Sequence, residues 1–262
     1  MTRSIWNKFV KTRERFRKTA EDLSRSLPTL KNIQQELADS RAKGKNLYTV
    51  ETPVVYNNAL DDVTIDDEIK LILVADNPGR REQAAENRRY LVGPSGKIAE
   101  KFFRDNSALG IDFRKNVIIL NKTPVHSPRT VELRELCRIE SETARDSLKA
   151  GLKAGVKAIA HAIDESQKTM AAILFEFHEA LGSHVWITGY SEMKNGGIFE
   201  TYTETLKKLY SSSEMKKQIF IFRHFSMNQF TIDLKQQALP GENTAGSLKR
   251  IGTAYRKRIL NF

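Results

Sequence analysis

Residues able to do chemistry cluster where apolar runs stop. "KLILVA" ends in Asp76-Asn77-Pro78-Gly79, "VIIL" in Asn121-Lys122-Thr123-Pro124, "HVWIT" in Gly189-Tyr190-Ser191, and "IFIFR" in His224-Phe225-Ser226-Met227-Asn228-Gln229. A carboxylate can take a proton, a side-chain amide can donate and accept at once, and an imidazole can donate toward developing charge. Each group also has an ordinary explanation. Asn, Pro and Gly build turns, an asparagine can cap a strand end, and a lone histidine is commonly structural. Only convergence on one edge favours chemistry over local geometry.

The loop after the first run continues to "RRYLVGPSGK". A glycine-rich loop that opens a helix suggests phosphate binding, but a P-loop requires glycine at Leu91 and Ser or Thr after Lys97, where Ile98 stands. A generic role remains: the amides around Ser95 and Gly96, beside Arg88, Arg89 and Lys97, could hold a phosphate. No G-x-S-x-G elbow is present, so a serine hydrolase is disfavoured. His161 and His178 fall on a helical apolar stretch and read as core or surface residues.

The elements that must position these residues follow from hydrophobic pattern. "IKLILVA", "NVIILN", "HVWITG" and "QIFIFR" are continuously apolar rather than alternating, as strands buried on both faces require. Helical stretches lie between them. The reading is an α/β fold, a three-layer α/β/α sandwich around a four-stranded parallel sheet. Every polar cluster above then sits at a carboxyl end, where ligands bind in open parallel sheets. The longest connection, between the second and third strands, should hold two or three helices, and its "LKAGLKAG" repeat reads as helix packing. Residues 1–45 read as a basic helical appendage interrupted at Pro28, with Phe9, Phe16, Leu23 and Leu27 on one face. Residues 46–240 form the main domain, and 241–262 a basic tail.

The chain of 262 residues is 40% hydrophobic, enough for a sizeable core, and its 43 basic against 32 acidic residues give a net charge of +11. That balance favours a polyanionic partner. The excess is concentrated at the ends, with seven Lys or Arg and only Glu14 in residues 1–18, and five with no acid in 244–262. The single cysteine, Cys137, excludes an intramolecular disulfide framework and any four-cysteine metal site. A reducing, cytoplasmic location is expected. No apolar run reaches the roughly 20 residues of a membrane helix. The Arg-rich start has the look of a transit peptide, but its continuous helical pattern argues against one.

"LILVADNPG" followed by "LVGPSGK", the strand "VIILN", and "RHFSMNQF" together resemble the motifs of the uracil-DNA glycosylase superfamily, in the right order and over about residues 67 to 235. The resemblance implies a DNA glycosylase that removes uracil or a related deaminated base by flipping it and directing water at the sugar carbon. Asn77 would hold the water and Asp76 would contribute a carboxylate. Asn121 would read the base, and His224 would donate to the departing base. Tyr90 or Leu91 would stack on it, since Leu91 aligns by spacing while Tyr90 supplies the nearby ring. Arg88, Arg89, Ser95, Gly96 and Lys97 would contact DNA, as would Ser226, Met227, Asn228 and Gln229 in the probing loop. The resemblance further implies DNA as partner, no cofactor, no metal cluster, and a monomer.

Departures from the pattern are specific. Ala75 replaces a glycine, Phe225 replaces a proline, and the cysteines of the iron-sulfur branches are absent. The altered motifs leave open a second function, a nucleic-acid-binding protein on this fold with weak or no catalysis.

Overall fold

The computed structural model describes residues 1–41, 47–142 and 150–262. Four short strands, β1 (Leu71–Ala75), β2 (Val117–Asn121), β3 (His184–Ile187) and β4 (Ile219–Ile221), form one sheet. All pairings are parallel and the order is β2-β1-β3-β4. Apart from His184 every strand residue is buried, the result anticipated from the unbroken apolar runs. From β1 the chain crosses to β2 on one side, and from β2 it returns to β3 on the other side of β1. The carboxyl ends of β1 and β3 therefore flank the point where connections diverge, and a crevice opens there.

Helices cover both faces, giving the α/β architecture. On one face Trp186 and Phe222 meet Phe102 and Phe103 of α3 (Pro94–Asp105) and Phe230 of α7 (Gln229–Gln236), with ring centroids 5.1 to 6.4 Å apart. Such aromatic packing adds to simple area burial. On the same face α8 (Thr244–Leu260) brings Gly252 against Phe220 and Phe222, where an added Cβ would stand 2.7 Å from the Phe220 Cβ and 2.7 Å from the Phe222 ring. Strand alternation sends Val185, Ile187, Ile219 and Ile221 to the opposite face. There α5 (Ala150–Leu181) packs with α1 (Arg3–Ser26), α4 (Thr130–Glu142) and α6 (Glu200–Tyr210).

The two ends differ from expectation. Helix α1 does not stand apart: Phe9 and Phe16 are fully buried in the main core, against Phe177 and Tyr56. Arg13, Arg15, Arg17 and Lys18 pair with carboxylates of Glu14, Asp22, Asp61 and Glu176. The pairs to Asp61 and Glu176 tie the helix to the body, while those to Glu14 and Asp22 lie within α1. After a break around Pro28, α2 (Leu30–Arg41) buries Gln34, whose Nε2 donates to the carbonyls of Pro53 and His126. The expected tail is α8 itself, with Leu248, Ile251, Tyr255 and Ile259 in the core and Arg256 donating to the carbonyls of Lys216 and Ile219. The boundary expected at 45, and the start of the repeat at 148–155, lie outside the described residues.

Candidate active site

The sheet's carboxyl edge carries a cleft of about 700 Å³ that brings Asp76, Asn77, Leu91, Ser95, His224 and Ser226 together. They arrive from three places: Asp76 and Asn77 from the end of β1, His224 and Ser226 from the loop after β4, and Leu91 and Ser95 from the loop and first turn of α3. A groove of comparable size between α4, α5 and α6, around Arg134 and Asp164, contains none of them.

Asn77 is oriented from one side. Its Nδ2 donates to the Ser127 hydroxyl at 2.9 Å and the Ser127 carbonyl at 3.0 Å, which turns the amide oxygen toward other donors. The turn behind it is braced by His126, whose Nδ1 donates to the Pro78 carbonyl at 2.8 Å while Nε2 accepts from the Tyr48 hydroxyl at 2.9 Å. Burial lowers the His126 value to about 4, so the ring stays neutral and able to do both.

His224 follows β4 and is fixed by its own loop. Its Nδ1 accepts from the Ser226 backbone N–H at 2.9 Å, so the proton of the neutral ring is on Nε2. Burial lowers its ionisation below the usual histidine value, with Asp76 opposing and Lys122 reinforcing the shift. The loop then turns through left-handed Met227 (φ 51) and Asn228 (φ 59), and leaves the Met227 side chain 84% exposed at the tip. Gln229 begins α7.

Asp76 is bonded at both oxygens. Oδ1 accepts from Lys122 Nζ at 2.6 Å and Oδ2 from the Thr130 hydroxyl at 3.3 Å. Burial resists its ionisation, but Lys122 and His224 outweigh burial and the carboxyl lies below the ordinary aspartate range. Glu82 behaves oppositely. Its oxygens accept from the Gly79 and Leu91 backbone N–H groups, yet burial dominates and pushes it up to about 7. It lines the same cleft and ties the Pro78-Gly79 turn to Leu91. Leu91 itself has φ 51, an uncommon conformation for a bulky residue. Gly96 packs so closely on it that a Cβ would stand 1.6 Å from the Leu91 carbonyl oxygen. Gly96 is therefore a buried contact between backbones.

Several anticipated residues lie elsewhere. Asn121 ends β2 in register with Ala75, a cleft residue, and so shares its face of the sheet, but the side chain is enclosed and does not line the cleft. Neither of its amide atoms has a partner, at a cost of about 1–3 kcal/mol. The Tyr90 hydroxyl is near, but its proton goes to the Val55 carbonyl at 2.6 Å and the approach falls short of hydrogen-bond geometry. Tyr90 is core, packed toward Phe16, and offers no open ring face to the cleft. Arg88 borders a groove along α1, and Arg89 pairs with Asp62 beside a separate hollow. Lys97 is exposed on the first turn of α3 without lining the cleft.

Sequence reasoning gave no role to Arg80, Arg81 and Arg129, the last paired with Glu132, which supply the positive rim, nor to Glu82 and Lys122. The signal for Glu82 was its place three residues after Gly79 in the same loop. Among the described residues no cluster of His, Cys, Asp and Glu could hold a metal, and no helix is long and apolar enough to cross a membrane. Comparison with family models, curated proteins and solved structures finds no match to this chain.

Proposed function

We propose that this protein is a DNA glycosylase that flips uracil or a related deaminated base into the cleft and hydrolyses its glycosidic bond. The observation that carries the reading is the meeting, in one cleft, of an ionised Asp76, an oriented Asn77 and a neutral His224 with its proton on Nε2.

The cationic rim of Arg80, Arg81 and Arg129, with the amides at the start of α3 around Ser95, suits DNA phosphates. Met227, exposed beside His224, suits insertion into the stack left by the flipped nucleotide. Asn77 Oδ1 would orient a water whose oxygen attacks C1′. The N–C1′ bond then breaks with its electron pair passing to the base, and the water's proton goes to Asp76, because an amide cannot take it. His224 Nε2–H would stabilise the negative charge on the departing base.

One observation favours the second reading, a binding protein of this fold: the amide of Asn121, suited to reading a base edge, is sealed from the cleft. The two are separated by incubating the protein with oligonucleotides containing uracil, hypoxanthine or only ordinary bases and then cleaving abasic sites. Strand breaks confined to a deaminated base support the glycosylase. Salt-sensitive binding without breaks supports the binding protein.

A further inference from the structure

Lys122 has no part in the reaction above, and it occupies an expensive position. Its side chain is fully buried, with the Phe199 ring 4.9 Å from Nζ. Nζ donates to Asp76 Oδ1 at 2.6 Å, to the Thr188 carbonyl at 2.5 Å and toward the Ala75 carbonyl at 3.4 Å. Three acceptors match the three N–H groups of an ammonium, whereas a neutral amine would aim a lone pair at an oxygen. That excludes Lys122 as a covalent nucleophile, which needs a free lone pair and access to the sugar.

A buried ion pair is weak evidence for stability, since apolar residues of similar volume serve as well or better. This pair differs in being asymmetric. Lys122 is sealed, while the Asp76 side chain keeps 12% of its surface exposed at the cleft. The chain around it is shaped to fit. The pair spans the ends of β1, β2 and β3, and at Gly189 (φ +87) a Cβ would stand 2.1 Å from Asp76 Oδ1 and 3.1 Å from Lys122 Nζ.

We infer that Lys122 is a positioning residue, which clamps Oδ1 of Asp76 and presents Oδ2 to the cleft as a fixed negative charge. The reaction this charge serves rests on the glycosylase reading, whereas the clamp itself does not. The groups facing Asp76 are Lys122 from β2, the Thr130 hydroxyl from α4 and His224 from the loop after β4, while Glu192 acts on Lys122 from the turn after β3. Burial lowers Lys122 and Asp76 opposes that, as expected for a pair that shares its charge. Removing the ammonium leaves burial as the dominant influence on Asp76 and must raise it. Activity that needs the carboxylate is then lost at a higher pH as pH falls.

The test is a carbon-13 NMR titration of the Asp76 carboxyl in the full-length protein, wild type against Lys122→Met, with single-turnover uracil excision measured across pH. Titration should move upward by about one pH unit or more. The acid limb of excision should move with it, while affinity for uracil-containing DNA changes less than about threefold, since no DNA contact is removed. An unmoved carboxyl overturns the inference, as does a rate loss equal at every pH. If Lys122→Met does not fold, the double variant Asp76→Asn/Lys122→Met removes both charges together. Its excision should match that of Asp76→Asn alone, because a clamp has nothing left to hold. A further tenfold loss in the double variant overturns the inference. The NMR arm needs no turnover, so a wild type that excises nothing removes the glycosylase reading and leaves the clamp to stand or fall on its titration.

Discussion

The backbone N–H of Ser226 points at Nδ1 of His224 from 2.9 Å and thereby sets which nitrogen carries the imidazole proton. Replacing His224 with Ala should slow single-turnover excision by about 10²-fold or more, the usual scale for losing one donor to developing charge, while DNA affinity stays nearly constant. A variant that binds poorly but excises normally at saturation would make His224 a DNA contact.

The same histidine has a definite pH behaviour. Burial depresses it below the usual value of 6.5, so Nε2–H should remain in its neutral form on mild acidification. Protonation at lower pH puts a hydrogen on Nδ1, facing the Ser226 N–H, and breaks the bond that orients the ring. Its NMR titration should fall below 6.5, and a midpoint at or above that value contradicts the burial argument.

Glu82 makes a stability prediction. Its folded value of about 7 lies above its ordinary 4.5, so the stability it contributes is full below 4.5 and is lost as pH climbs through 7. Between those limits the wild type should lose stability relative to Glu82→Gln, on the order of 3 kcal/mol in total, as measured by denaturant unfolding at several pH values. Parallel curves for the two proteins would show that burial does not control this carboxyl.

Two glycines near the cleft should differ sharply. Gly189→Ala adds a Cβ against Asp76 at a left-handed residue and should cost stability and excision together. Gly79→Ala meets nothing within 4 Å and has ordinary φ, so its thermal midpoint should hardly move. Equal midpoints for both variants would mean that the packing of Gly189 on Asp76 is not tight.

DNA binding should follow the cleft rather than sequence proximity. Arg81→Ala should weaken binding to all sequences and reduce the salt dependence by about one phosphate contact, while Arg89→Ala, already paired with Asp62, should do less. Met227→Ala should reduce affinity for uracil-containing duplex without changing stability, because its side chain contacts little in the free protein. The opposite ranking of Arg81 and Arg89 would move the DNA path to the other side of the loop.

The sheet was legible because four apolar runs without alternation admit few other readings, and the carboxyl edge followed from strand direction. Its order was not legible. Lys122 gains its place only because β1 lies between β2 and β3, which puts Asp76 and Thr188 within its reach. Arg88 and Arg89 stood close to the motif in sequence, but the loop runs through left-handed residues at Arg88 and Leu91, and only Leu91 of the three lines the cleft. In α1, Phe9 and Phe16 already announced a buried face, while the density of positive charge suggested an outward one. Of the carboxylates that pair with that charge, the two outside the helix are Asp61 and Glu176, too distant in sequence to be matched in advance.

Base excision by this protein is tested by mass spectrometry of both products after incubation of the wild type with a uracil-containing oligonucleotide in ¹⁸O-labelled water. A glycosylase should release free uracil and leave an abasic strand carrying one ¹⁸O at C1′. An oligonucleotide recovered intact, with uracil still attached after prolonged incubation at saturating protein, would contradict it.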